Sequence, residues 1–278
     1  MPELPEVETV ARMLQPSLID RAVVRGELLW PGVIDRPAVD AFLAGIIGRK
    51  ILAVGRRSKY ITFTLDNDWT WVVHLRMTGK FFVCGGEDGS GEDRHTRARF
   101  QLDDGRWLLF SDQRKFGRFY LVEDTRELFG HLGPEPLEVT FTPDILAGRL
   151  DGRRGEIKRV LLDQEIVAGL GNIYASEALW RASIHPQRVA SSLTVDEVQQ
   201  LHVGITTVLQ EAVMDGGTSL GDRQYVYPDG GLGRHQLHLA VYDRTGEPCL
   251  RCGRPIERTV LGQRSTYFCP YCQIENVK

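Results

Sequence analysis

The chain has 278 residues, of which 42% are hydrophobic and 26% charged, with a formal net charge of −3. Those figures describe a globular soluble protein long enough for two domains. No run approaches membrane-span length, and Pro2, Glu3, Glu6 and Glu8 are wrong for a signal peptide, so a cytoplasmic protein is expected.

The opening MPELPEVETV predicts a helix. Pro5 suits a first helical position, and Glu6 and Glu8 suit the positive end of the helix dipole. Val7, Val10, Ala11 and Leu14 fall at i, i+3, i+4 and i+7, one apolar stripe. Helix formation explains Pro5 onward but not Pro2 and Glu3. The following half reads as β structure: Ile61, Phe63 and Leu65 alternate with Thr62 and Thr64, and Trp69, Trp71, Val73 and Leu75 alternate with Thr70, Val72, His74 and Arg76. RFQL, RWLLF and RFYLV continue the pattern, while GGEDGSGEDR (85–94) reads as a flexible loop. Several short strands and one leading helix predict a β-sandwich or flattened barrel.

A break with three prolines follows in HLGPEPLEVTFTP, and the period then becomes helical. Ile157, Val160 and Leu161 share a face before the turn AGLGN, and Asn172 is placed to cap a second helix carrying Ile173, Ala178 and Leu179. Thr194 and Glu197 have capping-box spacing ahead of Val198, Leu201, Ile205, Val208 and Leu209. The Gly-rich stretch after Gly216 carries no clear element and suits a lid or a disordered segment.

Positive groups cluster locally despite the net charge: Arg49, Lys50, Arg56, Arg57 and Lys59, then Arg94, Arg97, Arg99 and Arg106, then Arg114, Lys115 and Arg118. Phosphate recognition depends on such clusters rather than on the total, although a single patch is ordinarily a solvated strand edge. Cys249 and Cys252 form one C-x₂-C pair, and Cys269 and Cys272 form a second, the knuckle spacing of a Cys₄ zinc ribbon. A closed site of that kind is structural, and it leaves Arg254, Arg258 and Arg264 on a rigid hairpin able to straddle a nucleic-acid groove. Cys84 reads as a small buried hydrophobe. In GLGNIYASEAL a tight turn opens a helix whose free N–H groups attract an anion, with a plain helix–turn–helix connection as the equal alternative. In SDQRKFGRF, Arg114 and Phe116 sit at a hairpin tip, suited to wedging into a base stack, although a core aromatic is the ordinary reading.

Together PELPEVET, RRSKY, HLRMTGKF, DQRKFG, HLGPEPL, LLDQ, GLGNIYASEAL, GGTS and the terminal ribbon resemble the bacterial formamidopyrimidine-DNA glycosylases, over nearly the whole chain. The resemblance implies an α+β protein: an N-terminal β-sandwich catalytic domain with its leading helix over 1–132, a linker over 133–150, a helix–two-turns–helix domain with a lid loop over 151–238, and a Cys₄ zinc finger over 239–278. It implies excision of oxidised purines (8-oxoguanine and formamidopyrimidines) from damaged double-stranded DNA, followed by AP lyase cleavage. One structural Zn²⁺, a monomer and a bacterial cytosol or nucleoid location go with that reading.

The resemblance also gives Pro2 and Glu3 a purpose. With Met1 attached the Pro2 nitrogen is a tertiary amide, but methionine before a small residue such as proline is generally removed. The freed α-amine titrates near ~7.7–8.0 against ~10.4 for lysine, so a usable fraction is neutral and nucleophilic. Pro2 is the implied Schiff-base nucleophile and Glu3 the proton donor to the opening sugar. Glu6 is structural or a secondary carboxylate. Lys59 resembles the lysine tied to the first elimination, and Arg264 the finger arginine tied to the second. His74, His95, Arg114 and Arg153 resemble DNA contacts, and Lys158 and Asn172 resemble phosphate ligands. Met77, Arg114 and Phe116 resemble the trio that fills the gap left by an extruded nucleotide. Two departures stand out: Asp243, where the family often has glycine, and the lid stretch LGDRQYVYPDGGLGRHQ. The alternatives are an endonuclease VIII-like glycosylase for oxidised pyrimidines and a non-catalytic zinc-finger DNA-binding protein. PELPEV, HLRM and DQRKFG favour the purine branch, and Pro2, Glu3 and Lys59 argue against binding alone.

Overall fold

The computed structural model describes residues 1–85, 93–221 and 225–275. Most of the expected loop over 85–94 and part of the lid stretch lie outside those residues. The described chain forms two compact units, Met1–Gly130 with Asp215–Gln236, and His131–Met214 with Leu237–Lys278.

In the first unit α1 (Leu4–Leu18) begins as its sequence dictates, with Pro5 in the first turn and Glu6 beside it. Val7, Val10, Ala11 and Leu14 are all buried, each contributing about 1.5–3 kcal/mol where the side chain is large. One sheet has the order β1 (Val23–Leu28), β7 (Thr96–Leu102), β8 (Trp107–Asp112), β6 (Gly79–Cys84). The other has the order β2 (Ile34–Arg36), β9 (Arg118–Val122), β5 (Thr70–His74), β4 (Tyr60–Leu65), β3 (Ile51–Arg57). All neighbours are antiparallel except β2 and β9. Ile61, Phe63, Trp71 and Phe119 of one sheet, Phe81, Phe100 and Phe110 of the other, and the α1 stripe share a single core, so the unit is a sandwich closed at one side by its helix. Alternation predicts a half-exposed β5, yet all five residues are buried. The reason is a second cluster on the outer face, where Val72, Tyr120 and Val122 pack with Leu128 of α3 (Arg126–Phe129).

Helix α2 (Val39–Ile46) gives no capping signal, since Ala38 offers no side-chain bond, and it forms by burying Phe42 and Ile46. Cys84 is half-buried at the end of β6 rather than buried. Sequence places the segment after Gly216 with the helical domain, whereas residues 215–236 belong to the first unit. Tyr225 enters the sandwich core, and the Thr218 N–H donates to Glu6 of α1 at 2.8 Å.

The second unit is helical. The stretch expected as linker contains α4 (Pro143–Leu150), capped by the Thr142 hydroxyl accepting from Ile145 N–H at 3.3 Å. Proline at the first helical position explains why a proline-rich stretch is helical here. After α5 (Ile157–Leu161), α6 (Asn172–Arg181) starts with Gly171, not Asn172, as its cap. Gln164 holds the intervening loop, its amide donating to Leu162 O and Leu170 O and its oxygen accepting from Gly169 N–H. Helix α7 (Val195–Met214) has the capping box its sequence announces, with Glu197 accepting from Thr194 N–H at 2.8 Å and Thr194 from Glu197 N–H at 3.2 Å. The hairpin β10 (Glu257–Leu261) and β11 (Arg264–Phe268) completes the unit.

Candidate active site

The chain's first residues are enclosed. Pro2 is buried, Glu3 is 3% exposed, and Met1 ahead of them is exposed. Glu6 orders this end: its Oε2 accepts from Glu3 N–H at 2.7 Å and its Oε1 from Thr218 N–H at 2.8 Å. Gly217, at φ 82°, packs so closely that a Cβ would lie 2.9 Å from Glu6 Oε1, which explains the glycine. The Tyr225 hydroxyl donates to Gly216 O at 3.0 Å. Burial first, then the Glu6 carboxylate, raises its pKa, so the phenol stays protonated.

Lys59 occupies the two-residue turn between Arg57 of β3 and Tyr60 of β4, with Ser58 in the left-handed region at φ 53°. A turn lysine is ordinarily solvated, but this one is 7% exposed. Arg56 fixes the turn to the helix: its Nε donates to Glu8 Oε2 and its Nη1 to Ser58 O, both at 2.9 Å. One guanidinium thus holds the element carrying Pro2 and Glu3 against the turn carrying Lys59. His74 pairs across the sheet with Tyr60, the ring centroids 4.5 Å apart, and its Nδ1 accepts from Arg76 N–H at 2.9 Å. Burial first, then the charges of Arg76 and Lys59, lowers its pKa to about 3, so the ring is neutral with its proton on Nε2.

Met77, Arg114 and Phe116 come together. Arg114 Nη1 donates to Met77 Sδ at 3.0 Å, and its guanidinium lies 4.7 Å from the centre of the Phe116 ring. Phe116 is 45% exposed, so the strand-start core reading fails. His95 is half-exposed nearby in sequence to Arg94 and Arg97, with Arg94 Nε donating to its Nε2 at 3.1 Å.

In the second unit Arg153 is exposed between α4 and α5. Lys158 is 0% exposed, and its Nζ donates to Asn172 O at 2.8 Å and Ser176 Oγ at 2.6 Å. In this structure it therefore braces the first turn of α6. Asn172 is half-buried, and its Nδ2 donates to Ser265 O at 2.9 Å. Arg264 is exposed beside a two-residue turn in which Gly262 and Gln263 have φ of 53° and 61°, as a type I′ hairpin requires. Of its basic neighbours, Arg258 is spent on Ser265 Oγ and Arg254 stacks 3.5 Å from the Tyr271 ring centre.

The four thiols converge. Their sulfurs lie within 4.8 Å of one another, with Cys249–Cys272 at 3.9 Å and Cys252–Cys269 at 3.5 Å. Four thiolates about 2.3 Å from a tetrahedral Zn²⁺ stand about 3.8 Å apart, so the donor set fits the ion.

Two buried carboxylates escape a reading of the sequence. Glu177 of α6 is 1% exposed and accepts from Ala240, Val241 and Tyr242 N–H at 2.8, 3.0 and 2.8 Å, anchoring the chain that leads into the finger. Asp112, at the end of β8, is likewise 1% exposed. The only signal at Glu177 is a charge within the mostly apolar IYASEALW, and Asp112, at the end of WLLFSD before Gln113, Arg114 and Lys115, reads as an ordinary turn residue.

Comparison with known proteins places these features. The family model for the formamidopyrimidine-DNA glycosylase N-terminal domain matches residues 1–119, that for its H2TH domain residues 132–224, and that for a zinc finger found in FPG and IleRS residues 246–274. The formamidopyrimidine-DNA glycosylase of Chloroflexus aurantiacus is 50% identical over 277 residues, covering 99% of this chain and 98% of that one. The crystal structure of the MutM (Fpg) protein from Thermus thermophilus superposes with a TM-score of 0.89 at 42% identity, covering 99% of this chain and 100% of that one. A complex of the Lactococcus lactis Fpg with DNA containing an abasic site gives 0.90 at 34% identity, covering 98% of this chain and 99% of that one. A sandwich, an H2TH unit and a zinc finger in this order define the class, the zinc-finger DNA glycosylases of base excision repair. Within it, the chain belongs to the formamidopyrimidine-DNA glycosylase family.

Proposed function

We propose that this chain is a bifunctional DNA glycosylase and AP lyase that removes oxidised purines, 8-oxoguanine and formamidopyrimidines, from duplex DNA. The enclosed Pro2–Glu3 pair, fixed through Glu6, carries the reading. Once Met1 is removed, the Pro2 secondary amine attacks the sugar C1′, the C1′–N bond to the base breaks with the electron pair leaving on the base, and Glu3 protonates the ring oxygen as it opens. The resulting iminium acidifies C2′, so loss of that proton expels the 3′ phosphate. A second elimination expels the 5′ phosphate. A buried lysine near a histidine whose pKa is held down by burial suits the first proton transfer, and Lys59 is assigned to it. Arg264, exposed on its hairpin, is assigned to the second.

His74, His95, Arg114, Arg153 and Asn172 are assigned to the DNA, and Met77, Arg114 and Phe116 to the gap left by the extruded nucleotide. One Zn²⁺ on Cys249, Cys252, Cys269 and Cys272 would be structural, because four thiolates leave no open coordination position. Functionally, the sandwich with its leading helix (1–132) is assigned the chemistry, with residues 215–236 joining that unit, and the helical stretch from 133 and the finger over 239–278 are assigned to the DNA. The protein is assigned as a monomer of the bacterial cytosol. Among the described residues no helix is long and apolar enough to cross a membrane.

Borohydride trapping on a duplex with 8-oxoguanine opposite cytosine, with Pro2→Gly and intact-mass analysis, tests this. A covalent adduct through an N-terminus lacking Met1 is expected. No adduct from zinc-loaded protein that begins at Pro2 and binds the duplex would leave a binding protein without chemistry. Faster excision of thymine glycol than of 8-oxoguanine would move the assignment to pyrimidines.

A further inference from the structure

The segments carrying Met77, Arg114 and Phe116 converge on one carboxylate, that of Asp112. Its Oδ1 accepts from the Thr78 hydroxyl and from Arg114 N–H at 3.2 Å, and its Oδ2 accepts from Gly117 N–H at 2.7 Å. Arg114 N–H is shared with Thr78 Oγ1 at 3.1 Å, which closes the network. The backbone of Asp112 adds a third segment: its N–H donates to His95 O at 2.9 Å, and its carbonyl accepts from Arg97 Nε at 2.9 Å. A Cβ at Gly117 would lie 2.6 Å from Phe110 Cζ, so this approach to the carboxylate needs glycine. Each member of the trio is therefore bonded to this network or adjacent in sequence to a residue that is.

Enclosing a carboxylate is unfavourable unless its lone pairs are met. Here three donors from two segments meet them, and the bonds fix where those segments stand. We propose that Asp112, acting with Thr78, is the positioning residue of the wedge, setting Met77, Arg114 and Phe116 in the arrangement that replaces an extruded nucleotide. The inference rests on the reading that this chain acts on duplex DNA. Asp112 touches no reacting atom; it acts through the three side chains it places.

An Asn at this position keeps the shape but has one acceptor oxygen. With that oxygen on Thr78 and Arg114, its NH₂ faces the Gly117 N–H, donor against donor. Thr78→Val removes the hydroxyl at constant volume, and Thr78→Ser restores it. Two substrates separate positioning from chemistry: a duplex with 8-oxoguanine opposite cytosine, which requires a wedge, and a single strand with an abasic site, which leaves no gap to fill. Asp112→Asn and Thr78→Val are expected to slow duplex excision about tenfold to a hundredfold, while trapping on the single strand changes by less than about twofold. Thr78→Ser should recover the duplex rate, and 2-aminopurine beside the lesion should report slower extrusion in the two impaired variants. Wild-type duplex rates in both, or proportional loss on both substrates in both, overturn the proposal. A wild-type protein inert on both substrates overturns the enzymatic reading first and this one with it.

Discussion

His74 shows how one enclosed side chain sets a pH limit. Its folded-state pKa of about 3 lies below the ordinary 6.5 because of burial, reinforced by Arg76 and Lys59. Between those values the unfolded chain takes up a proton that the native chain refuses, so stability is fully present above pH 6.5 and falls as the solution is acidified. His74→Asn keeps an acceptor for the Arg76 N–H without a titratable ring. Urea unfolding followed from about pH 7 to about pH 4 should therefore show a shallower acid loss in that variant than in wild type, and parallel curves would contradict the assignment. Lys158 illustrates the opposite case, a cation without exposed surface that is retained because a carbonyl and a hydroxyl receive its protons.

At the scale of elements, the strongest single anchor is the Glu177 carboxylate, which gathers three successive amides at the entry to the finger. Glu177→Gln turns an NH₂ toward Ala240 N–H, and leaving that pair unmatched in a buried place costs about 1–3 kcal/mol. The midpoint of denaturant unfolding of the zinc-loaded protein checks this; an unchanged midpoint would show that the loop holds without the charge. Which elements were legible follows from where their signals lie. Helices α1 and α7 announce themselves through caps and a 3.6 period, and the ribbon through cysteine spacing, because those signals are local. Helix α4 was hidden by its own proline, which serves there as a first helical residue, and α2 by the lack of a capping side chain at Ala38. The burial of β5 on both faces depends on α3, which comes about fifty residues later in the chain, and no local pattern carries it. Asp243, where the resemblance often implies glycine, has φ 60°, a left-handed conformation that aspartate tolerates. The geometry of the site was less accessible, since the roles of Glu6, Asp112 and Glu177 depend on partners from separate segments.

For the molecule as a whole, the two units have separate cores. Trp71 lies amid Phe42, Phe63, Phe81, Phe100 and Phe119 in the first, and Trp180 packs with Cys249, Ile256, Tyr267 and Cys269 in the second. The finger is small, and the thiolate bonds of the proposed Zn²⁺ would contribute to its folding. Stripping the metal with a strong chelator should abolish duplex binding while most of the near-ultraviolet circular dichroism, from the Trp71 cluster, persists. Re-addition of Zn²⁺ should restore binding. Loss of the whole aromatic signal in one step with the metal would mean that the first core is not independently stable.

The sulfur of Met77 rests against a guanidinium, half-exposed. Peroxide converts a thioether to a sulfoxide, replacing a weak acceptor with a strong oxygen one and an apolar tip with a polar one. Arg114 would be gripped by that oxygen and drawn from the Phe116 ring, blunting the proposed wedge under conditions that would create the proposed substrate. Dilute peroxide should then lower duplex excision in wild type but not in Met77→Leu, and methionine sulfoxide reductase should reverse the loss.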